Sequence, residues 1–329
     1  MTLFIPSPSI SGFNIGPVTI HFYALCLLAG IAAAWWLGSR RWMARGGRQE
    51  TFEWAVLWAI PIGIVGARIY HVLTHLADYF GPGINPWSVF FIWEGGIAIY
   101  GAVGGGAIAA WLACRARGAR FAALADALAP GIAIGQALGR FGNWFNQELY
   151  GWPTDLPWGL QIDPQHRVPG YENFATFHPT FLYEMLWNFL VAGVLLWADK
   201  RFTLGRGKVF ALYMALYGFG RFFTEGMRTD SSYTMIGPLR QNQFAALLIC
   251  LAGILLLLWL VKFRPGRETW VEPGMPEVDG AAAGPVPLPE VADQAAPSTQ
   301  PGTAGAGGEG PAPDDDPQVP VVETKPSET

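Results

Sequence analysis

Seven stretches of about twenty mostly apolar residues divide this chain, near 18–38, 52–75, 92–113, 122–145, 179–198, 208–227 and 241–262. Each is long enough to cross the ~30 Å hydrocarbon layer as a helix. Within a bilayer a helix satisfies its own backbone polar groups, so the pattern predicts an all-α membrane protein with seven transmembrane helices. Composition agrees: 51% of residues are hydrophobic and only 14% are charged, well below the ~25% charged residues of a soluble domain. Glycines in GAVGGGAIAA (101–110) predict close helix contacts, because small residues let helix backbones approach.

The distribution of Lys and Arg predicts an orientation. Arg40, Arg41, Arg45 and Arg48 follow the first span, and Arg115, Arg117 and Arg120 follow the third. Lys200, Arg201, Arg206 and Lys208 follow the fifth, and Lys262, Arg264 and Arg267 follow the seventh. The opposite loops carry Arg167, Arg228 and Arg240. The N-terminus is therefore expected outside and the C-terminus in the cytoplasm. The start, MTLFIPSPSI, has neither a basic segment nor a continuous apolar run, and is expected to carry no cleavable signal peptide. Segment 146–177, the longest external loop, has turn signals (WPTDLPWG, DPQHRVPG) and reads as a small periplasmic cap between spans 4 and 5.

Residues 1–264 are expected to form the membrane domain. Residues 265–329, rich in Pro, Gly, Ala and acidic groups, read as a disordered cytoplasmic tail. Residues 271–329 hold one basic and 11 acidic residues, against 20 basic and 14 acidic before them. Cys26, Cys114 and Cys250 stand apart in apolar runs with no metal-ligand spacing, and read as small buried hydrophobes.

Against this background the polar residues inside the spans are informative. The fourth span ends in GRFGNWFNQELYG (139–151), which places Arg140, Asn143, Asn146, Gln147 and Glu148 at or just below the membrane surface. With the predicted orientation, His21, Tyr23, Arg68, Glu94, Tyr100, His178, Tyr183, Glu184, Arg221, Glu225, Arg228 and Asp230 also fall towards the outer side. Asp126 is the exception. Intramembrane ionisable groups are expensive and mark function by default. Helical spacing puts Gln136, Arg140, Asn143 and Gln147 on one face, and Tyr217, Arg221, Thr224, Glu225 and Arg228 on another.

An arginine at mid-membrane costs about 2.5–3.5 kcal/mol on insertion scales, more than an i,i+4 pair such as Arg221–Glu225 returns on an exposed helix, about 0.3–0.5 kcal/mol. An anionic ligand would supply the missing compensation, and the guanidinium fork suits phosphate. Bland readings stand beside this one. Arg221–Glu225 is also readable as a self-neutralising pair, Arg68 as a cap on carbonyls or a partner of Glu94, Tyr23 and Tyr183 as interfacial aromatics, and His178 as a helix-entry residue. The residues alone imply a basic, carboxylate-bearing pocket for a phosphate-bearing lipid; they do not name a reaction.

The segment 139–151 carries G-R-x-G-N-x-x-N-x-E-x-x-G, which resembles the signature of the prolipoprotein diacylglyceryl transferases. HFYALCLLAG (21–30), GARIYHV (66–72), WEGGIAIYGAVGG (93–105), ADALAP (125–130), HPTFLYE (178–184) and GFGRFFTEGMRTD (218–230) resemble the family's other stretches in order, so that the likeness spans about residues 13–262. It implies transfer of the sn-1,2-diacylglyceryl group of phosphatidylglycerol to the lipobox cysteine of preprolipoproteins in the bacterial inner membrane, at a site facing the outer leaflet. The products are a thioether and sn-glycerol 1-phosphate, and neither cofactor nor metal is called for.

By motif position the resemblance assigns Arg140 and Arg221 to the phosphate and Asn143 and Asn146 to the headgroup. Glu148 and Glu225 would position arginines or hydroxyls. Tyr23 matches an essential tyrosine, and Arg228, His178 and Arg68 are further substrate-binding candidates. Where some members carry a histidine this chain has Tyr100, which leaves Tyr23, Tyr100 and an arginine-lowered thiol pKa as alternatives for activating the thiol. The rival readings are a transporter or flippase of an anionic lipid, which would need polar groups through the inner half as well, and a lipid-binding scaffold acting through its tail.

Overall fold

Long apolar runs become helices even across Pro61 and Pro130, which stand inside two of them, and most helix ends fall near arginines or glycines that interrupt the runs. A computed structural model describes residues 4–81, 83–230 and 235–275. The long helices are α1 (Phe22–Ala44), α2 (Gln49–Thr74), α4 (Ile99–Ala116), α5 (Phe121–Asn146), α6 (Thr180–Phe202), α7 (Lys208–Gly226) and α8 (Gln241–Phe263), with a single turn, α3 (Ala77–Phe80), after α2. Among the described residues, six helices (α1, α2, α4, α5, α6 and α8) are long and apolar enough to cross a membrane. α7 has 19 residues and falls outside that group; Lys208, Arg221 and Glu225 interrupt its apolar run. It packs along α8, α6 and α5. Leu57, Ile64, Leu186, Leu190, Leu255 and Trp259 are exposed on the outside of the bundle, which suits a protein solvated by lipid.

The third run starts later than its composition predicts. Residues 92–98 are not part of α4: Pro86–Phe90 and Ile92–Glu94 form short 3-10 turns, and Gly95 and Gly96 follow at φ 90° and 71°, left-handed values that end any helix there. The predicted helix contacts are present. α2 meets α4 where Gly66 faces Gly101, and a Cβ on Gly101 would stand 2.2 Å from the Gly66 carbonyl oxygen.

Small hairpins close one end of the bundle. β1 (Gly12–Ile15) pairs with β2 (Val18–His21), β3 (Leu160–Gln161) with β4 (Thr176–Phe177), and β5 (Met235–Ile236) with β6 (Leu239–Arg240), all antiparallel. The segment between α5 and α6 folds around Tyr150, Leu160, Ile162, Phe177 and Phe181. Burial pushes the Tyr150 phenol above its ordinary pKa, and the neutral hydroxyl donates to the His166 carbonyl while accepting from the Val168 N–H.

The opposite end corrects two expectations. Residues 265–275, read from composition as the start of the tail, pack against the helix ends, with Glu268, Val271 and Glu272 buried. Glu272 accepts from the Arg48 N–H and the Thr51 hydroxyl, and the Arg120 N–H bonds the Val271 carbonyl. Residues 276–329 lie outside the described residues. Nor is this end apolar apart from Asp126. Arg45 pairs with Asp199 at 3.0 Å and Glu268 at 3.3 Å and lies 3.8 Å from Asp126; Arg41 and Arg267 also pair with Asp199. Asp126 accepts the Gly207 and Phe210 N–H groups at 2.9 Å each. Carboxylates so occupied join α1, α5, α6, α7 and the 265–275 segment. Periodicity could not show this, because the partners lie on different helices.

Candidate active site

The signature segment is the last turn of α5 and its exit. Gly142 stands here because α1 crosses at that height: a Cβ on it would lie 2.5 Å from a ring carbon of Tyr23. Gln147 then takes a left-handed conformation (φ 52°) and caps the helix. Its side chain turns away from the face predicted for it, bonding the Pro8 carbonyl and Asp163. Asn143 and Asn146 both donate through Nδ2 to Glu148 Oε1, at 2.9 and 3.0 Å. Two neutral amides thus orient one carboxylate.

The centre of the site is a carboxylate to which the sequence reading assigned no role. Glu184, in the first turns of α6 and only 6% exposed, pairs with Arg140 Nε at 2.5 Å and with Arg221 Nη1 at 2.7 Å. Arg221 also pairs with Glu225 one turn on, at 2.5 Å. Glu225, 0% exposed, accepts from Arg228 at 3.2 Å and from Asn242 Nδ2 at 3.1 Å. The Tyr100 hydroxyl donates to Asn242 Oδ1 at 3.0 Å, so α4, α5, α6, α7 and α8 are tied into one polar network. The arginines are therefore compensated by carboxylates of the chain itself, which corrects the expectation that a ligand must supply their counter-charge. Arg140 still keeps capacity for an anion. Its Nε is taken by Glu184 and its Nη1 lies 3.4 Å from Asn143 Oδ1, while Nη2 has no hydrogen-bond partner among the described residues.

Arg140 and Asn143 stand at a cavity of about 430 Å3 between α1, α4, α5, α6 and α7. Tyr23, Gln136 and Tyr217 add polar tips, and Leu27, Ile31, Ile99 and Ile132 make its walls apolar. Asn188, one turn beyond Glu184 and 3% exposed, lines the same cavity. Its Oδ1 is buried with no hydrogen-bond partner among the described residues. Buried acceptors are rarely left so, and this one marks a place for a ligand donor or water. An apolar chamber with a guanidinium and amides at one end suits a molecule with acyl chains and a phosphate headgroup.

Most of the predicted residues therefore converge: Arg140, Asn143, Arg221, Glu225, Arg228 and Tyr100 belong to the network, Asn146 and Glu148 extend it, and Tyr23 lines the cavity. Two do not. Arg68 is buried and donates to the carbonyls of Ser88, Val89, Gly95 and Gly96, with its guanidinium 4.8 Å from the Tyr79 ring centroid. It fastens the chain between α2 and α4, the carbonyl-capping alternative, and among the described residues makes no bond to the arginine network. The His178 ring faces the Tyr183 hydroxyl at 3.2 Å, and that hydroxyl accepts from Trp158; this group ties the α5–α6 segment to the start of α6. Glu184 and Asn188 are legible in the sequence as an i,i+4 pair of polar residues in an apolar helix, although no motif marks them.

The family model described as prolipoprotein diacylglyceryl transferase matches residues 11–259. A Cutibacterium acnes protein named phosphatidylglycerol–prolipoprotein diacylglyceryl transferase is 54% identical over 260 residues, which cover 79% of this chain and 88% of that one. A Streptomyces coelicolor protein of the same name, numbered 2, is 50% identical over 265 residues, 80% of this chain and 83% of its own. A Paenarthrobacter aurescens protein of that name is 49% identical over 271 residues, covering 80% and 85%. With the match running through every helix from α1 to α7 and most of α8, this chain belongs to the prolipoprotein diacylglyceryl transferase family.

Proposed function

We propose that this protein transfers the sn-1,2-diacylglyceryl group of phosphatidylglycerol to the lipobox cysteine thiol of preprolipoproteins. The observation that carries the reading is Arg140 at the polar end of an apolar cavity, bridged through Glu184 to Arg221 behind it. The names of the relatives support the same two substrates. The substrate sulfur attacks the glycerol C3 of the diacylglyceryl group, a C–S bond forms, and the bond from that carbon to the phosphate ester oxygen breaks. sn-Glycerol 1-phosphate leaves with the electron pair. The thiol proton passes to the departing phosphate monoester and, because its second ionisation lies near pH 6, from there to water.

Arg140 Nη2 and the Arg221 guanidinium stabilise charge as it develops on that phosphate, the larger part of catalysis when donors are held in place beforehand. Glu184 and Glu225 hold the arginines. Asn143, Asn146 and Glu148 orient the headgroup, and Asn188 Oδ1 accepts from a glycerol hydroxyl. The thiol, with an ordinary pKa near 8.5, reaches its reactive thiolate more readily in the field of the arginines; Tyr23, at the cavity wall, is a hydroxyl candidate to assist. Tyr100, bonded to Asn242, acts through the Glu225 network.

In this reading α7 also crosses the bilayer, making seven spans. The N-terminus and the 147–179 cap lie on the periplasmic side, the site opens to the outer leaflet, and the chain resides in the bacterial inner membrane. The test uses membranes containing the protein, a lipobox peptide and phosphatidylglycerol. Wild type forms a diacylglyceryl-peptide and Arg140→Ala does not, although it still inserts. Full activity in Arg140→Ala removes the phosphate role.

A further inference from the structure

The end of the bundle opposite Arg140 holds a second basic cavity, of about 540 Å3. It lies between the N-terminus of α5, the C-terminus of α8 and the turn joining α6 to α7. Arg120, Arg206 and Arg264 line it, together with Trp259, Leu260 and Phe121. The neighbouring cations Arg41, Arg45 and Arg267 are matched to carboxylates, but these three guanidiniums make no ion pair among the described residues. The Arg206 Nε is buried with no hydrogen-bond partner among the described residues. Arg120 is held by the Trp270 ring, 3.8 Å from the centroid, a contact that fixes its position without neutralising it.

Glu268 also borders the cavity. Its charge is already engaged, by Arg45 at 3.3 Å and by the Arg206 N–H at 2.6 Å, so it does not cancel the three arginines. The apolar wall continues onto Trp259, which is half exposed on the lipid-facing surface of α8. Three guanidiniums around one space call for an anion with several oxygens, and a wall running into the lipid-facing surface calls for acyl chains attached to it. Basic pockets between helix ends are also how membrane proteins hold acidic headgroups.

We propose that this cavity binds the phosphate headgroup of an anionic glycerophospholipid, from the leaflet opposite the Arg140 cavity. The bound lipid bridges α5, α8 and the α6–α7 turn. It is distinct from the substrate lipid, because none of the residues lining the Arg140 cavity contributes to it.

The experiment titrates the detergent-purified full chain with dioleoylphosphatidic acid, dioleoylphosphatidylcholine and inorganic phosphate, counting bound lipids by native mass spectrometry. Arg206→Gln/Arg264→Gln should weaken phosphatidic acid binding about tenfold or more, as loss of two headgroup cations implies, and should remove one bound lipid. Arg140→Ala should leave that lipid in place. Phosphatidylcholine should not substitute for it, and inorganic phosphate should not displace it at matched concentration. An unchanged lipid count in the double variant overturns the proposal, and displacement by inorganic phosphate overturns its lipid identity. Arg264→Gln alone, at an exposed position, should weaken binding at least threefold and serves if the double variant does not fold; no weakening there also overturns the proposal.

Discussion

Replacing Glu184 by glutamine tests the central geometric idea. The carboxylate accepts from Arg140 Nε at 2.5 Å on one oxygen and from Arg221 Nη1 at 2.7 Å on the other. Glutamine keeps one acceptor and turns an NH2 group towards the other guanidinium. One charge-assisted hydrogen bond, about 1.5–3 kcal/mol, is lost, and a donor then faces a donor. Breaking a fully buried ion pair costs about 3–5 kcal/mol, but the Arg140 and Arg221 side chains remain 23% and 14% exposed, so water relieves part of that. A loss of about 2–3 kcal/mol in arginine positioning corresponds to roughly 30- to 150-fold in kcat/KM at 1.36 kcal/mol per decade. The assay follows diacylglyceryl-peptide formation against phosphatidylglycerol concentration, with thermal unfolding measured on the same preparations. Glu184→Asp, which keeps the charge but is one methylene shorter, should recover part of the loss. A merely structural role would lower the unfolding temperature and leave the kinetics of the folded fraction intact. Glu184→Gln within threefold of wild type, alongside an inactive Arg140→Ala, would refute the bridge as the device that positions the arginines.

Other outcomes follow from the same contacts. Tyr100→Phe removes one neutral hydrogen bond to Asn242, worth about 1 kcal/mol; activity should fall about fivefold, and a complete loss would return Tyr100 to the chemistry itself. Arg68→Lys cannot reproduce the fork across the Ser88, Val89, Gly95 and Gly96 carbonyls, so it should lower thermal stability while leaving KM for phosphatidylglycerol unchanged; a raised KM at unchanged stability contradicts the clamp. A chain ending at Met275 should keep wild-type stability, whereas one ending at Phe263 loses the buried Val271 and the Glu268 and Glu272 contacts and should be destabilised by about 3 kcal/mol or more. Equal melting of the two truncations would show that the 265–275 segment adds nothing.

The helices, the signature loop and the family could be read from the residues because they depend on local order. A twenty-residue apolar run has few options in a bilayer, and G-R-x-G-N-x-x-N-x-E-x-x-G needs no folded context to be recognised. The glycines of 101–110 announced a close contact, and Gly101 against Gly66 supplied one. What sequence could not say was which charge faces which. Arg221–Glu225 was visible as an i,i+4 pair, but Glu184 lies 44 residues from Arg140 and 37 from Arg221 along the chain, and only packing of α5, α6 and α7 brings the three together. The same holds for Arg68, whose partners are backbone carbonyls with no side-chain signature, and for Glu268 and Glu272, whose composition reads as tail until Arg45 and Thr51 are found beside them. Hydropathy is a property of a segment, and so it survives in one dimension. Neutralising a buried charge requires a partner within about 4 Å, and the distances that decide it exist only after the chain has folded.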